Sequence, residues 1–296
     1  MSIRPFPFRA ASRWTALAAA AVALLFAASL RAAEPEYISL AGLKAGGFQK
    51  FLDDAKSQGY EINYVNGYDV GDHAEFAGEA IKDPAKREFE ARFNMSSDEY
   101  RDWYHDMKEK GLRPTIVSGY HTKGGPRFAA VFVKDIKPFK RAVEGRHNQT
   151  QEEFEKEVTK QHDSGLEPVC VTAYQGADGA PRYTSLFYEP GPKETWANRH
   201  NMTDVQYQKQ IDKWKKGGFR PMKVHVYDTP DGLRFLAIAR KVDNDPYAWE
   251  ARHDLTGKEY QQEFDKLGGD GYRPGPICGY LKGGELHFAA IWVKRE

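Results

Sequence analysis

Arginine and histidine recur in this chain at near-constant intervals, and they are the first candidates for chemistry. Arg92, Arg146, Arg199 and Arg252 stand 54, 53 and 53 residues apart, and His147, His200 and His253 each follow one of them. Histidines related by a repeat could converge on an axis and ligate a metal. Each, however, lies just before the start of a helix, where ordering a turn is the simpler role. No His-x-x-x-His or Cys-x-x-Cys spacing supports a metal site, so no metal and no other cofactor is expected. A guanidinium carries five donors. The arginines can therefore either tie a neighbouring unit's carbonyls or form a row of ligand contacts, and a second series, Arg127, Arg182, Arg234 and His287, divides the same way. Tyr120, Tyr174, Tyr227 and Tyr280 end strands beside Gly-rich turns, where they either stack on a ligand or close the core. Cys170 and Cys278 read as buried free thiols in preference to a disulfide. There is no Ser-x-x-Lys and no Gly-x-Ser-x-Gly elbow, so no catalytic residue is assigned.

The elements that must position these side chains repeat with them. Gly59, Gly111, Gly165, Gly218 and Gly271 stand 52 to 54 residues apart, and Pro114, Pro168, Pro221 and Pro274 follow the last four. Phe76, Phe128, Tyr183, Phe235 and Phe288 form another series. Periodicity of this length marks a repeat architecture. Ser96-x-x-Glu99, Thr150-x-x-Glu153, Thr203-x-x-Gln206 and Thr256-x-x-Glu259 are capping boxes, in which hydroxyl and carboxylate each satisfy an orphan backbone N–H. Met95, Met202 and Leu255 precede three of the caps, and Tyr100, Tyr207 and Tyr260 follow them as staples; Gln149 breaks the pattern. The predicted helix, about 14 residues long, stops at the glycine because glycine tolerates the left-handed conformation.

Two strands follow in each unit. Their turn carries Gly124-Gly125, Asp178-Gly179, Asp231-Gly232 or Gly283-Gly284, which suits a tight hairpin. The second strand, as in Phe288-Ala-Ala-Ile-Trp-Val293, is apolar on both faces and belongs in the middle of the structure. Asn94-Met-Ser96, Asn148-Gln-Thr150 and Asn201-Met-Thr203 match the glycosylation acceptor, but they also follow from the grammar of the cap.

The expected fold class is an α+β repeat protein of five tandem helix–β-hairpin units of about 53 residues, in a curved or closed toroidal array. The unit boundaries are 42–83, 89–135, 139–190, 195–243 and 247–296. The first unit is degenerate, lacking the arginine, the capping box and the proline.

Trp249-Glu-Ala-Arg252, Leu255-Thr256-x-x-Glu-Tyr260, Gly271-Tyr-Arg-Pro274 and Phe288-Ala-Ala-Ile-Trp-Val293 together resemble a bacterial tandem-repeat domain. That domain often precedes β-lactamase-like serine hydrolases and is similar to the N-terminal repeats of fungal polyglycine hydrolases. The resemblance covers about residues 42–296. It implies an accessory region without chemistry of its own, and a separate serine hydrolase as a possible partner.

Residues 1–33 read as an export signal: Arg4, Arg9 and Arg13, then an apolar run at 14–30, then Ala32 and Ala33. The alternative is a membrane anchor formed by residues 14–30. The full chain has 43 basic and 42 acidic residues; without residues 1–33, 39 basic residues face 42 acidic ones. Nucleic-acid binding rests on a basic excess, so it is disfavoured. The favoured reading is an exported, periplasmic or extracellular, non-catalytic protein that binds a protein, a peptide or a cell-envelope polysaccharide. The alternatives are an enzyme with an unfamiliar site at the repeat axis or groove, and an accessory subunit of a separate serine hydrolase.

Overall fold

The computed structural model describes residues 37–135, 143–191 and 193–295. The expected signal at 1–33, with its apolar run at 14–30, lies outside the described residues. Among them, no helix is long and apolar enough to cross a membrane.

Five repeats follow one order, strand–helix–strand–strand. Repeat 1 comprises β1 (Tyr37–Leu43), α1 (Ala45–Ser57), β2 (Tyr60–Asp69) and β3 (Ala74–Lys82). Repeat 2 comprises β4 (Phe89–Met95), α2 (Ser97–Glu109), β5 (Arg113–Tyr120) and β6 (Arg127–Val133). Repeat 3 comprises β7 (Val143–Gln149), α3 (Gln151–Asp163), β8 (Glu167–Gln175) and β9 (Pro181–Tyr188). Repeat 4 comprises β10 (Glu194–Met202), α4 (Asp204–Gly217), β11 (Arg220–Thr229) and β12 (Gly232–Val242). Repeat 5 comprises β13 (Tyr247–Thr256), α5 (Gly257–Gly269), β14 (Arg273–Lys282) and β15 (Glu285–Arg295).

The helix and the hairpin match the expected unit, and the apolar second hairpin strand is the central one in all five antiparallel sheets. The strand before the helix has no counterpart in the expected helix–hairpin unit. Its residues are half-buried and polar, as in β10, Glu-Thr-Trp-Ala-Asn-Arg-His-Asn-Met. A strand paired on one side only has little apolar demand and reads as a connection. Repeat 1 likewise begins with β1, upstream of the expected boundary at residue 42.

Local chemistry fixes the helices. All four capping boxes form, with Ser96, Thr150, Thr203 and Thr256 each accepting from the backbone three residues on. Gly59, Gly111, Gly165, Gly218 and Gly271 all have φ between 72° and 83°. The next N–H in repeats 2 to 5 reaches back to the carbonyl of Met107, Gln161, Trp214 or Leu267 at 2.8–2.9 Å. That closes the helix end in a Schellman manner.

Neighbouring repeats touch through the first hairpin strands. β2 meets β5, β5 meets β8, β8 meets β11 and β11 meets β14, and β14 in turn meets β2. The last repeat therefore contacts the first. Arg273 of β14 donates to the buried Glu79 of β3 at 2.6 Å. Side chains also reach across the centre between non-adjacent repeats: Asn66 of repeat 1 contacts His225 of repeat 4 at 3.1 Å, and the Lys223 amine lies 4.6 Å from the Tyr64 ring centre.

Candidate functional site: an axial mouth built from all five repeats

The tyrosines named from the sequence act first as wedges between repeats. Tyr120 is buried in the core of repeat 1, Tyr174 in that of repeat 2, Tyr227 in that of repeat 3 and Tyr280 in that of repeat 4. Tyr68, not named from the sequence, completes the circuit in the core of repeat 5. Three of the wedges press on a glycine of the preceding repeat. A Cβ on Gly67 would sit 2.4 Å from the Tyr120 ring, one on Gly119 2.5 Å from Tyr174, and one on Gly279 2.5 Å from Tyr68.

The wedge hydroxyls hold the bulge in the first strand of their own repeat. The Tyr68, Tyr120, Tyr227 and Tyr280 hydroxyls accept from the backbone N–H of Gly42, Asn94, Asn201 and Asp254 at 2.9–3.2 Å. Tyr174 instead donates to the Asn148 side chain at 3.3 Å. Gly42, Asn94, Asn148, Asn201 and Asp254 all have φ between 53° and 72°. Gly, Asn and Asp tolerate the left-handed region best, so this requirement accounts for the recurrent Asn.

The repeated arginines do not couple adjacent repeats, contrary to expectation. Arg146 pairs with Glu144 and Glu157, and Arg252 with Glu250 and Glu263, all within one repeat. Arg92 approaches Glu99 at 3.7 Å, and Arg199 donates to the Asn198 carbonyl at 2.7 Å. Phe89, Trp196 and Trp249 stand three residues before Arg92, Arg199 and Arg252 in the same strands. In a strand, residues three apart point to opposite faces. Other cations cover those rings instead: Lys56 on Phe89, Arg240 on Trp196 and Lys215 on Trp249. In the second series, Arg127 and Arg234 donate to nearby carbonyls, Arg182 pairs with Asp178, and His287 pairs with Asp254.

The histidines take the seam role. His147 meets Tyr100 and Phe128 edge-on, with centroids at 5.1 and 5.7 Å. His200 meets Phe154 and Tyr183, and His253 meets Tyr207 and Phe235, in the same manner. Phe93 occupies this place against Phe48 and Phe76. The three histidines thus sit at three different seams rather than together. Burial lowers the proton affinity of His147 and His253. Among the described residues, no group of three or more metal-ligating side chains converges.

Two residues before each wedge, one polar side chain per repeat is buried: Asn66, Ser118, Thr172, His225 and Cys278. Most reach the preceding repeat. Gly67 N–H donates to Ser118 at 3.0 Å, Gly119 N–H to Thr172 at 2.9 Å and Val226 N–H to Cys278 at 3.2 Å. His225 Nε2 donates to the Ala173 carbonyl at 2.6 Å, which leaves Nδ1 to accept from Asn66. This ring escaped the sequence reading. Its one signal was a polar residue two before each strand-ending tyrosine. Cys278 Sγ lies 3.7 Å from His225 Nδ1. Burial pushes the thiol up to about 12 and the imidazole down to about 4. A nucleophilic cysteine needs the opposite shift, so this pair is a neutral structural contact. Cys170 is also a free, buried thiol.

Above this ring the five repeats enclose a cavity of about 60 Å³, lined by the wedge tyrosines and by Asp69, His121, Gln175, Asp228 and Leu281, one from each repeat. That volume holds a few waters or one small chemical group. His121 Nδ1 contacts the Gln175 carbonyl at 3.0 Å, and Asp69 accepts from Gly71 N–H at 2.7 Å. Asp228 is exposed by area yet walled by protein on one side. Its proton affinity is raised, first by partial burial and then by Asp69, with His121 opposing. The rim thus offers carboxylates, a carboxamide and an imidazole around a narrow aromatic throat.

A family model described as polyglycine hydrolase-like, structural repeat, matches the chain five times, at residues 34–79, 86–135, 140–190, 193–242 and 246–295. No curated protein matches the chain.

Proposed function

The chain belongs to the polyglycine hydrolase-like structural repeat family, and we propose that it is an exported, non-catalytic binding protein whose ligand, a protein, peptide or envelope polysaccharide, sits across the axial mouth. The observation that carries this reading is the cavity to which every repeat contributes equivalent residues. Binding surfaces of repeat arrays are composite in this way. The small cavity constrains the mode of binding: one group enters the throat and the rest of the ligand lies across the rim.

Residues 34–296 should bind saturably to members of a combined glycan and peptide array that includes oligoglycine. Gln175→Ala with Asp228→Asn should abolish that binding while leaving thermal unfolding in place. No saturable ligand, or binding indifferent to the rim variant, would remove the proposal. Export is tested separately by mass spectrometry: the product outside the cytoplasm should begin near Ala33 or Glu34, and an intact Met1 in the membrane fraction would replace export by anchoring.

A further inference from the structure

A second cavity opens where repeat 4 hands over to repeat 5. It measures about 340 Å³, within the range of small-molecule sites, which begins at about 300 Å³. Phe219, Tyr247 and Trp249 supply its aromatic wall, and Arg220, Lys241, Asp243, Asn244 and Asp245 its polar lining. The wall is held in place. Arg220 Nε donates to Asp245 at 2.9 Å, and its guanidinium stacks 4.5 Å from the Tyr247 ring centre. Lys215 covers Trp249 at 5.2 Å and pairs with Glu250 at 2.7 Å. A wall fixed before binding lowers the ordering cost of association.

The same place in the repeat is used differently elsewhere. At the handover from repeat 1 to repeat 2, Arg87 stands where Tyr247 stands here, and it forms ion pairs with Glu61 and Asp83. The full aromatic lining of this cleft is therefore not a requirement of the fold.

We propose that this cleft binds a neutral saccharide of one or two rings. The charges in its lining balance, two cations against two carboxylates, so it favours neither an anion nor a cation. Asp243 and Asn244 are exposed and, among the described residues, make no side-chain hydrogen bond to the protein. Asp243 offers acceptors, and Asn244 offers both donors and an acceptor. Sugar hydroxyls both donate and accept, which suits that mixed set, and the apolar face of a sugar ring suits the half-buried edges that Phe219 and Tyr247 leave exposed. The assignment stands apart from the axial mouth and does not depend on it.

The test is calorimetric titration of residues 34–296 with cellotriose, maltotriose, xylotriose and chitotriose. At least one should bind saturably. Asp243→Ala combined with Asn244→Gly should weaken that binding by about tenfold or more. Glycine is chosen because Asn244 has φ 57°, so the loop keeps its conformation, and an unchanged melting temperature verifies this. The axial variant Gln175→Ala with Asp228→Asn should bind the sugar as the wild type does. No binding by any of the four sugars, or binding that survives the loop variant, would overturn the proposal. A short peptide that binds and is lost in the loop variant would overturn the saccharide assignment.

Discussion

His225 gives the sharpest quantitative test of the packed axis. Its Nε2 donates to the Ala173 carbonyl, its Nδ1 accepts from Asn66, and Cys278 and Tyr227 flank the ring. Among the described residues no carboxylate touches it, and burial lowers its pKa to about 4 from 6.5. The unfolded chain therefore binds a proton near pH 6.5 that the folded chain refuses until near pH 4. Below pH 6.5 the unfolded state holds more protons, so stability falls as the pH falls through this window. The full difference is about 3 kcal/mol, of which about 2 kcal/mol is lost by pH 5. Urea unfolding of the wild type and His225→Gln at pH 7.5 and pH 5 measures this contribution. Glutamine retains a donor for Ala173 but does not titrate, so its acid-induced loss should be smaller by about 2 kcal/mol. Equal losses in the two proteins, or a folded-state His225 that titrates near 6.5 by NMR, would refute the reasoning.

Three further outcomes follow from the packing. Thr203→Ala or Thr256→Ala should cost about 0.5–2 kcal/mol in denaturant unfolding and leave ligand affinity unchanged, since each cap serves only its own helix. Gly279→Ala, whose Cβ would press on Tyr68 at 2.5 Å, should cost about 1–3 kcal/mol, whereas Gly268→Ala, with nothing within 4 Å, should cost nothing; equal melting temperatures would dismiss the wedge. The Lys223 amine is crowded at the axis, makes no hydrogen bond among the described residues, and has its proton affinity lowered by burial. Lys223→Met should therefore raise stability by about 1 kcal/mol at pH 7, and the gain should shrink as the pH rises through and past 10.5, above which the wild-type amine is neutral in both states.

The parts of the fold legible in the sequence are those that short-range chemistry decides. Ser96 and Glu99 specify a helix start three residues apart, and Gly218 specifies its end without reference to any partner. The central strands were legible because Phe288–Val293 is apolar on both faces. Residues whose roles depend on register were not. Arg199 and Trp196 share a strand, but its pleat sends them apart. The series Gly42, Asn94, Asn148, Asn201 and Asp254 was visible only as a cap-flanking pattern; its cause, a bulge held in most repeats by a tyrosine 26 residues on, appears only when the sheet is assembled. The tyrosine series was found, and its burial in the preceding repeat shows why it recurs. The buried ring of Asn66, Ser118, Thr172, His225 and Cys278 varies in identity at every copy, so no motif search isolates it. Tyr247 of the second cleft has no aromatic counterpart at the handover from repeat 1 to repeat 2, where Arg87 stands in its place, so the repeat pattern does not mark it.

The central claim, that ligand binds across the axial mouth, is tested most directly by affinity at that rim. An array-identified ligand should be titrated into residues 34–296 of the wild type and of Gln175→Ala with Asp228→Asn, with thermal unfolding measured alongside. The account predicts saturable binding by the wild type and its loss in a variant that melts as the wild type does. Full affinity in the variant, or turnover of the ligand by the wild type, would contradict it.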